Sequence, residues 1–165
     1  MAAGDQDSKR RASRTTENPG VGVLGGTFDP PHLGHLIAAQ AALHQLQLGR
    51  VLFIPNREPP HKADRPVTSF DDRVEMVRLA IAANPDFHLD LREIERPGPS
   101  YALDTLRSIQ QELKPGTALM FILGFDALRE LETWHEPDAL VADFRFAVLD
   151  RPGDVGVRDE AAWKG

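Results

Sequence analysis

There is no cysteine among the 165 residues, which removes disulfides, thiolate metal sites, iron–sulfur clusters and thiol nucleophiles from consideration. Long hydrophobic runs are missing as well. The longest, Ala118 to Leu123, is far short of the roughly 20 residues that span a bilayer. No apolar stretch of the signal-peptide kind stands near the N-terminus, so the chain reads as cytoplasmic, with no membrane partner. Nor is there a basic surplus. With 19 Lys and Arg against 25 Asp and Glu, a net charge of -6, the surface does not suit general binding to a phosphate backbone, and no nucleic-acid partner is expected. A small anion could still bind in a local basic pocket. What is present, 41% hydrophobic and 27% charged residues with 13 Gly and 13 Pro, is the composition of one folded domain.

Residues 1–20 carry no strong apolar side chain and mix Lys9, Arg10, Arg11 and Arg14 with Asp5, Asp7 and Glu17, the pattern of a disordered tail. A transit peptide would be poorer in acids. From Val21 on, short apolar runs alternate with segments of helical period, as in successive βαβ units. The expected strands are Val21–Leu24, Val51–Ile54, Phe87–Leu91, Ala118–Leu123 and Phe144–Leu149. Between them the first helix runs over Leu33–Leu48 with Gly49 as its stop. A second is capped by Ser69 with Asp72 three residues on, and carries Phe70, Val74, Val77 and Ile81 at helical spacing up to Asn84-Pro85. A third starts near Tyr101 and is stopped by Lys114-Pro115-Gly116. A short fourth spans Asp126–Glu132, and Pro137–Val141 forms a last helical segment. The fold class is therefore α/β: a three-layer, Rossmann-like domain over 21–153 with a parallel sheet of about five strands. Residues 154–165 read as a short C-terminal remnant. Ligands of such folds bind beyond the carboxyl ends of the strands.

The residues after the first strand are Gly25-Gly26-Thr27-Phe28-Asp29-Pro30-Pro31-His32-Leu33-Gly34-His35. Two glycines allow a tight turn and close backbone approach, the prolines stiffen the start of the helix, and the helix N-terminus favours an anion. Neither the G-x-G-x-x-G nor the G-x-x-x-x-G-K-[ST] spacing fits here. His32 and His35 stand three apart on one face of the first turn. One could cap the turn while the other lies at the surface. A zinc pair would need a third ligand, and no H-E-x-x-H pattern supplies one, so no metal site is assigned.

These residues resemble the nucleotidyltransferase signature G-[ST]-F-D-P followed by H-x-G-H. Later segments are similar to those of the bacterial nicotinate-nucleotide adenylyltransferases: Ile54-Pro55-Asn56 with Pro59-Pro60-His61-Lys62, Pro99-Ser100-Tyr101 with Thr105, Leu123-Gly124-Phe125-Asp126, Thr133-Trp134-His135, and Arg151-Pro152-Gly153. The likeness covers about residues 21–153, with the motifs in matching order. Two departures stand out. Ala102 replaces the usual Thr after Ser-Tyr, and Asp154–Gly165 holds neither Ser nor Thr, so the family's S-S-T-x-[IL]-R segment is not in this sequence.

The resemblance implies transfer of an adenylyl group from ATP to nicotinate mononucleotide, giving nicotinate adenine dinucleotide and pyrophosphate, with Mg2+ carried on the ATP. It implies His32, His35 and Lys62 as catalytic donors. Gly25, Gly26, Thr27, Phe28, Gly124, Asp126 and Arg151 would lie around ATP and its phosphates. Asn56, Tyr101, Ala102, Thr105, Trp134 and His135 would lie around the mononucleotide, with Trp134 stacking on the pyridine. The nucleophile would be the mononucleotide phosphate, whose second pKa of about 6 leaves it largely dianionic at neutral pH, so no general base is required. Other expectations stay open beside this one: a related adenylyltransferase such as one acting on phosphopantetheine, a cytidylyltransferase, or a catalytically impaired nucleotide-binding module. The sequence does not set the oligomeric state.

Overall fold

The apolar runs pair into one six-stranded sheet, in a computed structural model that describes residues 18–59, 66–151 and 154–158. In chain order the elements are β1 (Val21–Gly26), α1 (Leu33–Gln45), β2 (Arg50–Pro55), α2 (Phe70–Ile81), β3 (Phe87–Leu89), α3 (Ala102–Glu112), β4 (Leu119–Gly124), α4 (Phe125–Arg129), α5 (Pro137–Asp143), β5 (Arg145–Arg151) and β6 (Asp154–Arg158). The strand order is β3-β2-β1-β4-β5-β6. The first five run parallel, and β6 pairs antiparallel with β5. The expected α/β architecture and its five strands are thus present. The stretch read as a C-terminal remnant supplies a sixth strand. Its signal, Val155 and Val157 on either side of Gly156, is too short to stand out in the sequence.

Side chains alternate across the sheet, so each buried strand feeds two cores. Val23, Leu52, Ile54, Phe121, Phe146 and Val148 face α3 and α5, packing with Leu103, Leu106, Ile109 and Leu140. Leu24, Val51, Phe53, Met120 and Ile122 face α1 and α2, packing with Ala39, Ala42, Leu43 and Val77. Burial of Leu or Phe at such positions stabilises by roughly 1.5–3 kcal/mol per side chain. Because the chain leaves β1 toward β2 but returns with β4 on the other side of β1, a crevice forms at the carboxyl ends of β1 and β4.

Boundaries differ from the sequence reading where local chemistry intervenes. The first helix stops at Gln45, not Leu48: Gln47 takes the left-handed conformation (φ 52°), Leu48 N–H donates to Leu43 O, and Gln47 N–H to His44 O. That is a Schellman closure with Gln in the place glycine usually takes. Gly49 serves close packing instead, since a Cβ there would lie 2.8 Å from Pro19. β3 is shorter than expected because Asp90 turns to accept from the backbone and guanidinium of Arg92. The Ser69 cap is as expected, its hydroxyl accepting from Asp72 N–H and donating to the Asp72 carboxylate. The expected helix 126–132 is split into α4 and a 3-10 turn at Leu131–Thr133. The N-terminal tail falls outside the described residues except for 18–20, which lead into β1.

Candidate active site

A cleft of about 550 Å3 lies at the β1/β4 switch point. On one side it is lined by Gly25, Gly26, Thr27, His32 and His35, and on the other by Asn56, Ser100, Tyr101, Ala102, Thr105, Trp134 and His135, with Gly124 and Asp126 at the end of β4. Thirteen of the sixteen residues named from sequence thus meet in one place. Phe28 does not. Lys62 lies outside the described residues, and Arg151 is the last residue of β5, at the same end of the sheet.

The Phe28 ring lies behind the cleft. The residue takes a left-handed φ of 51° and its ring is 2% exposed, packed on Phe53 and edge-on to His35 with ring centres 5.0 Å apart. It is a buttress for His35, not a lining residue. The two imidazoles stack with centroids 3.8 Å apart. Gly34 leaves room for this, because a Cβ there would stand 3.0 Å from the His32 ring. The His32 backbone N–H donates to His35 Nδ1 at 3.1 Å, so the neutral tautomer of His35 carries its proton on Nε2. Protonation would put a second hydrogen on Nδ1 against that N–H. Burial, with the charge of His32 adding to it, lowers the His35 pKa from 6.5 to about 4. At neutral pH His35 is therefore an uncharged donor through Nε2.

The opposite wall is aromatic. Tyr101 stacks on His135 at 4.0 Å, and His135 Nε2 lies 3.1 Å from a Glu136 carboxylate oxygen. Trp134 is half-buried against the core and meets Phe121 edge-on at 6.0 Å. Thr105 lines the cleft, but its hydroxyl donates to Glu93 at 2.7 Å and accepts from Arg96 at 2.8 Å, leaving it tied to protein partners. Ala102 opens α3, with Tyr101 as its N-cap. Asp126 sits in the first turn of α4, where Gly124 is the N-cap and no side chain caps the helix.

Sequence reading gave no site role to three contributors. Ser100 Oγ accepts from the N–H groups of Arg57 (3.1 Å) and Glu58 (3.3 Å), joining the loop after β2 to the start of α3. Glu93, 3% exposed, orients Thr105 while its second oxygen has no hydrogen-bond partner among the described residues. Arg73, 2% exposed, donates to the carbonyls of Thr27, Asn56, Arg57 and Thr68. Burial lowers its pKa, opposed by the charge of Asp29. Its signal was available: Arg73 falls on the helix face set by Phe70, Val74 and Val77, where an apolar residue would be expected.

Among the described residues no group of three His, Cys, Asp or Glu could hold a metal ion, and no helix is long and apolar enough to cross a membrane.

The cytidylyltransferase-like family profile matches residues 23–164. A Symbiobacterium thermophilum protein named as a probable nicotinate-nucleotide adenylyltransferase is 50% identical over 81% of this chain and 64% of its own length. One from Geobacillus thermodenitrificans, similarly named, is 46% identical over 81% of this chain and 61% of its own length. The nicotinate-nucleotide adenylyltransferase of Bacillus subtilis is 45% identical over 81% and 70% respectively. The chain thus spans less than two thirds of the first two relatives. Among solved structures, a Plasmodium falciparum nicotinic acid mononucleotide adenylyltransferase complexed with NaAD superposes with a TM-score of 0.68 at 23% identity, over 89% of this chain and 71% of the other. At that identity the likeness speaks for the fold.

Proposed function

Because the chain belongs to the cytidylyltransferase-like family, on its nicotinate-nucleotide adenylyltransferase branch, we propose that it transfers the adenylyl group of ATP to nicotinate mononucleotide, yielding nicotinate adenine dinucleotide and pyrophosphate, a step of NAD synthesis. The observation that carries this reading is the pairing, across one cleft, of a neutral His35 donor beside a glycine turn with an aromatic wall at Tyr101, Trp134 and His135.

In this reading the triphosphate lies over Gly25, Gly26 and Thr27 and receives hydrogen bonds from His32 and His35, while Gly124 and Asp126 face the adenosine. Asn56, Tyr101, Ala102, Trp134 and His135 surround the mononucleotide, its ring against Trp134. Thr105 acts from behind, through Glu93 and Arg96, rather than by touching the ligand. Lys62 and Arg151 supply further positive charge to the phosphates. The mononucleotide phosphate oxygen attacks the α-phosphorus of ATP and the bond to the bridging oxygen of pyrophosphate breaks. A dianionic nucleophile needs no base, so the protein's part is alignment and charge stabilisation. Alignment can lower a barrier by roughly 7–11 kcal/mol, and one well-aimed donor by about 2.7–4 kcal/mol. Mg2+ would arrive on the ATP phosphates and neutralise the leaving pyrophosphate.

The test is pyrophosphate release by the purified chain with ATP and Mg2+, comparing nicotinate mononucleotide with its nicotinamide counterpart and with phosphopantetheine. Turnover with the acid mononucleotide is expected. A folded chain that binds ATP yet is silent with all three would refute the transfer and leave a nucleotide-binding module.

A further inference from the structure

The loop after β1 and the loop after β2 carry the two halves of the cleft, and one buried side chain holds both. The Arg73 guanidinium donates through one nitrogen to Thr27 O (2.7 Å) and Asn56 O (2.9 Å), through the second to Arg57 O (3.4 Å), and through Nε to Thr68 O (3.0 Å). A trans peptide points its N–H opposite its C=O. Carbonyls 56 and 57 turned toward Arg73 therefore send the N–H groups of Arg57 and Glu58 the other way, where Ser100 Oγ accepts both. The same rule turns the Phe28 N–H away from Arg73. A direct bond, Asn56 N–H to Gly26 O at 2.9 Å, joins the two loops between these anchors. Residues 56–58 are thus clamped between a planar five-donor fork on α2 and a hydroxyl at the start of α3. Lysine could not reproduce the fork, having a point charge and no fixed plane.

We propose that Arg73 is the positioning residue of this cleft: it sets the spacing between the loop beside the ATP phosphates and the loop beside the mononucleotide, and so the alignment of the reacting phosphates. This rests on the adenylyl-transfer reading above. Arg73 does not touch substrate. It acts through Thr27 and Asn56, and its loss should move kcat more than the affinity for either substrate, because each loop still binds its own ligand while their mutual geometry slackens. Misplacement by about 1 Å is enough for a rate loss of about 100-fold.

The experiment uses the full chain as wild type, Arg73→Lys and Ser100→Ala. Steady-state kinetics with both substrates are combined with amide hydrogen exchange on the free proteins. For Arg73→Lys a fall in kcat of about 30–100-fold is expected, with each KM within about threefold of wild type. Exchange at Asn56, whose N–H donates to Gly26 O of the other loop, and at Arg57 and Glu58 should rise together by about tenfold or more, while Val74 to Ile81 stays protected. Ser100→Ala, which leaves α2 untouched, should raise exchange at Arg57 and Glu58 and lower kcat by about 3–10-fold. The proposal is overturned if a folded Arg73→Lys keeps kcat within threefold, if exchange at Asn56, which bonds across to Gly26 O, stays as in wild type, or if exchange rises throughout α2. Should Arg73→Lys not fold, unchanged exchange at residues 57 and 58 in Ser100→Ala overturns it. If the wild type itself releases no pyrophosphate, the transfer reading fails, and the exchange data alone decide whether Arg73 couples the loops.

Discussion

The two walls of the cleft are built by different means. On the glycine–histidine side the contacts are local: His32 to His35 within one helical turn, and Phe28 folded back under His35. On the aromatic side they span the chain, with Ser100 reaching residues 57 and 58 and Arg57 reaching Ile94 O, and Arg73 on α2 ties Asn56 of this side to Thr27 of the other. A wall made of neighbours in sequence is specified by a short motif. One made of distant loops depends on a few buried polar side chains, each satisfying several backbone groups. Substitution within the first should therefore act on the chemistry itself, whereas substitution within the second, or at Arg73 between them, should act through loss of alignment or of ligand affinity.

The largest effect is expected at the local wall. His35→Ala should lower the turnover rate by about 10²–10³-fold, with thermal unfolding nearly unchanged because the side chain is only half-buried. A loss under threefold would remove His35 from the chemistry and erase the contrast. Next comes the aromatic wall: Trp134→Ala should raise the KM for the mononucleotide by about tenfold, in line with stacking worth about 1–3 kcal/mol, and change the KM for ATP little. Equal effects on both would place the ring elsewhere. Thr105→Val probes the polar support behind that wall. It leaves the buried Glu93 without its hydroxyl partner, at a cost of about 1–3 kcal/mol, visible as a Tm lower by several degrees at about 2–4 °C per kcal/mol.

The smallest effect concerns pH. Since the His35 pKa is lowered to about 4 in the folded chain against 6.5 unfolded, the unfolded state binds more protons between these values. The contribution of His35 to stability is therefore full above pH 6.5 and lost as the pH falls toward 4. Wild type should lose a few degrees more of Tm over that window than His35→Ala. Parallel curves for the two proteins would mean that His35 is not held neutral.

The same contrast explains what could be read from the sequence. The strands, the three longer helices and the Ser69 cap follow from period, run length and capping residues, all local signals. The glycine–histidine motif points to the proposed anion site for the same reason. That the Phe28 ring sits behind the cleft was not legible, because its left-handed backbone turns it inward, which a motif does not reveal. Gln47 ends α1 where Gly49 looked the better stop, because closure depends on Leu48 reaching back to Leu43 within the core. Ser100 stood in a motif without a role of its own, and Glu93 and Arg73 escaped notice, because their partners lie far along the chain. Arg73 alone left a trace, as a charge on the apolar face of its helix.

The proposed transfer is direct between two aligned phosphates, with no group of the protein acting as nucleophile. It is tested most directly by following the configuration at the α-phosphorus with a chirally labelled α-thiophosphate analogue of ATP and nicotinate mononucleotide as acceptor. Inversion is the expected result, as one in-line displacement requires. Net retention would demand two displacements and a covalent adenylyl intermediate on the protein, and would contradict the account.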